Sequence, residues 1–275
     1  MPSISEIAPN LRLDSSGIWS TSSTEAISYP EGGNQACFDL EDSSFWFKHR
    51  NACITMAART FPPLNNGPIF DIGGGNGFVS CGLIKAGFET VLVEPGPFGA
   101  ANGKSRGIPD VICATTSDAG FKDSTLNGVG LFDVIEHIEN DGEFIASIKN
   151  LLKPDGRLYA TVPSYSALWS EEDLLAGHFR RYSLASICSL IEGAGLKVNY
   201  ATYFFRPLPV PIFLLRSLPH RLGIKRTPHK EAAKDHKAGG GAALMESLLK
   251  REVRNIGLSK PMSFGASCLI VASAP

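Results

Sequence analysis

The chain has 275 residues, 43% of them hydrophobic, with 26 basic and 27 acidic side chains and a formal net charge of -1. That length holds one sizeable α/β core with chain left for appendages, and the balance of charge gives no global pull toward nucleic acid, so no nucleic-acid partner is expected. Six cysteines are scattered without a C-x-x-C pair or zinc spacing, and there is neither a basic, apolar leader nor an apolar run long enough to span a bilayer, so a reducing, cytoplasmic setting is expected.

Residues 1–41 are rich in Ser, Thr, Gly and Pro without periodicity and read as an irregular arm. From Asp42 the stretch DSSFWFKHRNACITMAARTF has a serine cap at Ser43 or Ser44 and apolar residues at helical spacing. IFDI, Ile69 to Ile72, is a buried strand that runs into glycines 73, 74, 75 and 77, and a helix follows from Phe78. The alternation then continues: strand ETVLVE, helix PFGAANGKSRG, strands DVICATT and GVGLFDVI, a helix from Gly142 to Leu152, a KPDG turn, strand RLYATVP, a helix capped by Ser183, and strand LKVNYATY. Strands alternating with helices predict a Rossmann-like three-layer α/β sandwich, with a mostly parallel sheet and helices on both faces. A peripheral insertion at about 203–260 interrupts the domain, which spans 42–275. It mixes prolines, large apolar residues and arginines, then a Gly-rich basic linker, then an amphipathic helix with Leu244, Leu248, Leu249 and Val253 on one face. ASCLIVASA closes the chain as a last strand.

The chemistry starts at the glycine loop. Gly73, Gly74, Gly75 and Gly77 let the backbone turn sharply and approach a ligand at the carboxyl end of the strand. Their G-x-G-x-G spacing puts Phe78 where a dinucleotide fingerprint needs its third glycine, which counts against a nicotinamide oxidoreductase. Asp71, just before the turn, suits a ligand with a cationic head. Glu94 ends the second strand about twenty residues beyond the loop, where a carboxylate accepts both hydroxyls of a ribose. Phe132 and Asp133 end the fourth strand and border the same ligand. Glu136 and His137 follow; an imidazole there is a candidate general base for an acceptor hydroxyl, or the pair only shapes the pocket. Tyr165, Trp169, His178 and Arg181 sit in a loop at the same sheet edge and are candidates for gripping the acceptor.

Together, DIGGGNG, VLVE, DVIEHI, LLKPDGRLYATVP, GHFRRYS and GAGLKV resemble the ubiquinone-biosynthesis-type branch of the class I S-adenosylmethionine-dependent methyltransferases. The resemblance implies a seven-stranded sheet with an antiparallel last strand, S-adenosylmethionine as cofactor, and a small-molecule or lipid- or glycan-linked acceptor, methylated on oxygen. It also implies that Arg50 meets the cofactor carboxylate and that the loop after strand three supplies an acid for adenine, for which Asp118 is available. Asp133, Glu136 and His137 spell D-x-x-E-H, similar to the E-x-x-E-H metal site of RNA 2'-O-methyltransferases. His178 would be a distant fourth ligand, but no metal is assigned. A non-catalytic cofactor-binding module is the remaining alternative. Residues 203–240 are expected to approach a membrane surface or an apolar acceptor without spanning a bilayer.

Overall fold

The computed structural model of the chain describes residues 3–21, 38, 40–224 and 242–275. Its centre is a sheet with the strand order β1-β2-β5-β4-β3-β6-β7-β9-β8. Strands β3 (Ile69–Ile72), β4 (Thr90–Val93), β5 (Asp110–Cys113), β6 (Leu126–Phe132) and β7 (Leu152–Pro163) run parallel. β9 (Ser267–Ser273) lies antiparallel between β7 and β8 (Lys197–Phe204). β8 and β9 are neighbours and antiparallel, a pairing that a hairpin alone could connect, so the long insertion between them is an addition to the sheet rather than a requirement of its topology. These seven strands are the expected ones. The other two, β1 (Arg12–Leu13) and β2 (Trp19–Ser20), come from the arm to which the sequence assigned no structure.

The arm docks because a few apolar side chains suffice. Helix α1 (Ile4–Ile7) buries both its isoleucines, Ala8 and Leu11 are buried beside them, and β2 pairs in parallel with β5, covering what would be an open sheet edge. KPDG also departs from expectation. It does not precede the strand but bulges within β7: Leu126 faces Leu152 and Gly128 faces Arg157, so Lys153 to Gly156 loop out and Asp155 takes a left-handed φ of 62°.

Period-two alternation divides the core between the two faces of the sheet. Phe70 and Ile72 join the layer under α6 (Asp141–Leu151) and α8 (Leu184–Gly193), which contribute Ile148 and Ile187. Ile69 joins the other layer, with Cys53 of α2 (Phe45–Thr60), Val79 and Leu83 of α3 (Phe78–Lys85), and Ile256 of α11 (Ala242–Gly257). Between these elements lie α4 (Pro97–Ser105), α5 (Thr116–Ala119) and α7 (Glu171–Ala176), then α9 (Pro209–Ile212), a π-type turn Phe213–Ser217, and α10 (Leu218–Arg221). On α11 the buried stripe is Leu249, Glu252 and Ile256, and Leu248 turns outward. The basic linker 225–241 lies outside the described residues.

Asp71 alternates onto the α2–α3 side with Ile69, at the carboxyl end of the central strand. The carboxyl ends of β3, β4, β6 and β7 therefore converge on one place.

Candidate active site

At that place is a cavity of about 710 Å³, walled by α2, the glycine loop, α7 and the stretch from Leu208 to Arg216. The glycine loop forms one end. Gly73, Gly75 and Gly77 have φ values of 70°, 55° and 74°, a left-handed path that only glycine follows without strain. Close packing excludes side chains as well: a Cβ on Gly74 would lie 2.4 Å from Leu92 and 2.8 Å from the Asp71 carboxylate, and one on Gly77 would lie 2.3 Å from Ile108.

Two carboxylates lie beside the loop, and Glu94 bonds it directly. Glu94 accepts the backbone N–H of Gly75 at 2.8 Å and that of Gly96 at 2.8 Å, so each oxygen has one bond and one remaining lone-pair direction. Burial raises its pKa, and the two N–H bonds partly offset that. Asp71 is wholly buried and accepts the Ser80 hydroxyl at 2.6 Å through one oxygen, while the other has no protein partner. Burial pushes its carboxyl up to about 6 despite the Ser80 bond. A buried carboxylate oxygen left without a partner beside the loop is costly, and a nearby positive charge would offset that cost.

Helix α2 supplies the adjacent wall. Ser44 caps it by accepting the Trp46 N–H at 3.2 Å, and Trp46 and Arg50, one turn apart, stack with 4.9 Å between the guanidinium carbon and the ring centroid. Arg50 pairs with Asp133, whose other oxygen accepts the Thr161 hydroxyl at 2.9 Å. Asp133 itself has a left-handed φ of 59°, just past the end of β6.

The other end of the cavity is made by Glu136, His137, Asp173, His178 and Arg181. The rings of His137 and His178 meet edge to face with centroids 4.7 Å apart. Burial, then the neighbouring His178, lowers the His137 imidazole to about 4. Glu136 is buried with one oxygen unpartnered, and burial followed by the Asp133 charge raises its pKa well above the carboxylate range. Asp173 organises the rest: it accepts His178 Nδ1 at 2.8 Å, Arg181 Nε at 2.7 Å and the Ser170 N–H at 2.9 Å. Burial alone would raise its carboxyl, yet the bonds from His178 and Arg181 bring it down to about 2. An ionised Asp173 facing Nδ1 of His178 favours a proton on that nitrogen and fixes the orientation of the ring.

The structure thus gathers Arg50, Asp71, Gly73, Gly74, Gly75, Glu94, Phe132, Asp133, Glu136, His137, His178 and Arg181 around one cavity, with Gly77 shaping the loop behind it. It does not bring in three others. The Asp118 carboxylate accepts the Thr115 hydroxyl at 2.8 Å at the start of α5, away from the cavity lining. Tyr165 stacks on Tyr203 with centroids 5.1 Å apart and packs against the core, and Trp169 also lies off the lining. Arg180, beside Arg181, pairs with Asp141 at 2.7 Å. Sequence reasoning missed the role of Asp173 in orienting His178. The signal was there as D-x-x-x-x-H, with the carboxylate on a capped helical turn and the imidazole just past its end. Leu208, Ile212 and Leu215, in the stretch expected to approach a membrane surface or an apolar acceptor, line the cavity.

A family model described as a methyltransferase domain matches residues 46–201. The C-methyltransferase NovU of Streptomyces niveus is 28% identical over 121 residues, a match that takes in 42% of this chain and 29% of that protein. The chain therefore spans less than a third of the length of this curated relative. A Haloferax volcanii methyltransferase, solved in complex with the Trm112 methyltransferase activator, superposes with a TM-score of 0.57 at 16% identity, over 89% of this chain and 96% of that one. Phosphoethanolamine N-methyltransferase 2 of Haemonchus contortus, solved with S-adenosyl-L-methionine, superposes with a TM-score of 0.52 at 17% identity, over 90% of this chain and 57% of that one. At these identities the likeness to the solved structures is one of fold.

Proposed function

Because this chain belongs to the methyltransferase-domain family, we propose that it moves the methyl group of S-adenosylmethionine to an acceptor oxygen at the His137–His178 end of the cavity. The observation that carries the reading is the pair of carboxylates about the glycine loop. Glu94 keeps a free lone pair on each oxygen for the ribose hydroxyls, and Asp71 presents an unpartnered, buried oxygen to the cationic methionine moiety. Phe132, Asp133 and Arg50 close that half, and the acceptor occupies the half bounded by the two histidines and the apolar wall of Leu208, Ile212 and Leu215.

In the reaction the acceptor O–H proton passes to an imidazole, the new O–CH₃ bond forms as the CH₃–S⁺ bond breaks, and S-adenosylhomocysteine leaves. Much of the rate comes from alignment and exclusion of water, since the sulfonium already activates the carbon. Of the two imidazoles, His178 has the arrangement of a base, with its tautomer set by Asp173; His137, held near 4, stays neutral and shapes the pocket. The acceptor class that fits is a small or lipid- or glycan-linked hydroxyl compound with an apolar body. The test is calorimetry with S-adenosylmethionine, S-adenosylhomocysteine and NADH, followed by mass spectrometry across a panel of such hydroxyl compounds. Binding of the first two, no binding of NADH and a mass gain of one methyl are expected; binding of NADH alone would refute the reading.

A second reading has its own support. Glu136, His137 and His178 each offer a donor atom, all within 4.8 Å of one another, and Glu136 has one oxygen without a protein partner. A carboxylate with two imidazoles suits Mn²⁺, which would lower the pKa of an acceptor hydroxyl in place of a base. Asp133, the first residue of D-x-x-E-H, is outside this group because Arg50 and Thr161 occupy its oxygens. Mn²⁺ binding by calorimetry, lost in His178→Ala, together with activity abolished by a chelator and restored by Mn²⁺, would replace His178 as base by the metal.

A further inference from the structure

The stretch from Leu208 to Ile224 is apolar on both sides. Its inner side, Leu208, Ile212 and Leu215 among others, walls the cavity. Its outer side carries Val210, Leu214 and Leu222, which are 66%, 53% and 66% exposed, with Leu218 between them and Ile224, 56% exposed, at the end. Spacing of four residues puts 210, 214, 218 and 222 on one stripe of a helical run. A surface helix ordinarily turns polar residues outward, so this stripe is not explained by packing against the core. The stripe has company. Arg216 reaches Glu172 on α7 at 3.6 Å and Arg221 donates to the Ala167 carbonyl at 3.0 Å, which ties the run to the neighbouring segment, where Leu174, Leu175 and Phe179 are also exposed.

Charge indicates what covers it. Between Phe204 and Lys230 the sequence holds six basic residues and no acidic one, in a chain whose net charge is -1. No helix among the described residues is long and apolar enough to cross a membrane, and the run is interrupted by Pro209, Pro211 and Pro219. Exposed aliphatic side chains on a short helical run in a locally basic segment match the requirements of a surface rich in anionic headgroups, with the aliphatics in the interface and the local positive charge attracted to the headgroups.

We propose that the outer face of residues 209–224 docks on an anionic phospholipid surface, and that the cavity behind it receives its acceptor from the bilayer. Only the second half of that statement rests on the proposed methyl transfer. Docking is measured without cofactor or acceptor, so a failure of one leaves the other standing.

The experiment is flotation of the full chain with vesicles of phosphatidylcholine alone and of phosphatidylcholine mixed with phosphatidylglycerol, at low and high salt. The wild type is expected to float with the mixed vesicles at low salt, to bind phosphatidylcholine alone at least tenfold more weakly, and to lose most binding at high salt. Val210→Ser/Leu214→Ser/Leu222→Ser alters only exposed side chains, so its melting temperature should match the wild type while its vesicle affinity falls at least tenfold. Lys225→Gln/Arg226→Gln should reduce binding to the mixed vesicles and leave any residual binding less sensitive to salt. Absence of flotation with mixed vesicles at low salt overturns the proposal, as does triple-serine protein that floats like the wild type. So does light scattering that shows a dimer dissociated by the three serines in protein that fails to float, which would assign the stripe to a second copy of the chain.

Discussion

Replacing Glu94 tests the assignment of the glycine loop most directly, because that carboxylate acts on the fold and the ligand through the same atoms. In the free protein it accepts two backbone N–H bonds of 2.8 Å, from Gly75 and Gly96. Bonds to a charged acceptor contribute about 1.5–3 kcal/mol each, and the side chain is buried, so Glu94→Ala strands two donors. Water entering the vacated space recovers part of the loss, leaving a destabilisation of about 2–4 kcal/mol, or roughly 5–15 °C in melting temperature for a chain of this size. Glu94→Gln keeps one acceptor oxygen but turns an NH₂ toward the second N–H, and should cost about half as much. Loss of the carboxylate–ribose bonds should weaken S-adenosylmethionine binding by roughly tenfold to a hundredfold in both variants. Differential scanning fluorimetry gives the first quantity and calorimetry the second. An alanine variant that melts with the wild type and binds the cofactor equally well would refute both the structural role and the ligand assignment.

Asp71 predicts a pH dependence of cofactor binding. With its carboxyl at about 6 in the free protein, a cationic ligand must displace a proton at acid pH, so calorimetric affinity should rise by up to about tenfold per unit as pH rises to 6 and level off above 7; a flat profile, or loss of affinity on raising pH, would remove the cationic contact. Glu136 predicts a stability effect of opposite use. Its raised pKa means the folded state holds the proton more tightly than the unfolded state, so its contribution is full below 4.5 and is lost as pH rises; Glu136→Gln should therefore melt several degrees above the wild type at neutral pH, with the gap closing in acid. Gly77→Ala combines a left-handed φ of 74° with a Cβ 2.3 Å from Ile108 and should destabilise by about 2–5 kcal/mol in denaturant unfolding, with partial rescue by Ile108→Val; unchanged stability would contradict the loop geometry. His137→Gln should leave S-adenosylmethionine affinity within a few-fold by calorimetry, since the bonds that order the glycine loop run from Glu94 to Gly75 and Gly96 and do not involve the ring.

The order of strands, the glycine loop and Glu94 were legible because each is encoded by contiguous residues. Ile69 to Gly77 specifies a buried strand, an acid and a left-handed turn within nine positions, and the spacing to Glu94 is that of one strand–helix–strand unit. Local capping was equally readable at Ser44 and Ser183, whose hydroxyls accept N–H groups two or three residues ahead. The arm was not: Ile4, Ile7, Ala8 and Leu11 are too few to set a period, and they gain order only against β5 and the sheet edge. KPDG carries good turn residues, but the pairing of Leu152 with Leu126 keeps the chain in the strand on both sides of it and makes the turn a bulge.

The second half of the cavity depends on separations that no local pattern records. Arg50 meets Asp133 across 83 positions, and His178 meets His137 across 41, where the Phe179 N–H bonds the Glu136 carbonyl. Asp118, Tyr165 and Trp169 show the converse, residue types suited to a site whose side chains find nearer partners in Thr115 and Tyr203 or remain off the cavity lining. What the sequence determined by itself is the backbone cradle and the acid that faces it, since φ preferences and strand–loop–helix spacing act over a few residues. Which side chains face that cradle was decided by tertiary structure alone, because the register of strands and the docking of helices on the sheet set those distances through the packing of the whole core.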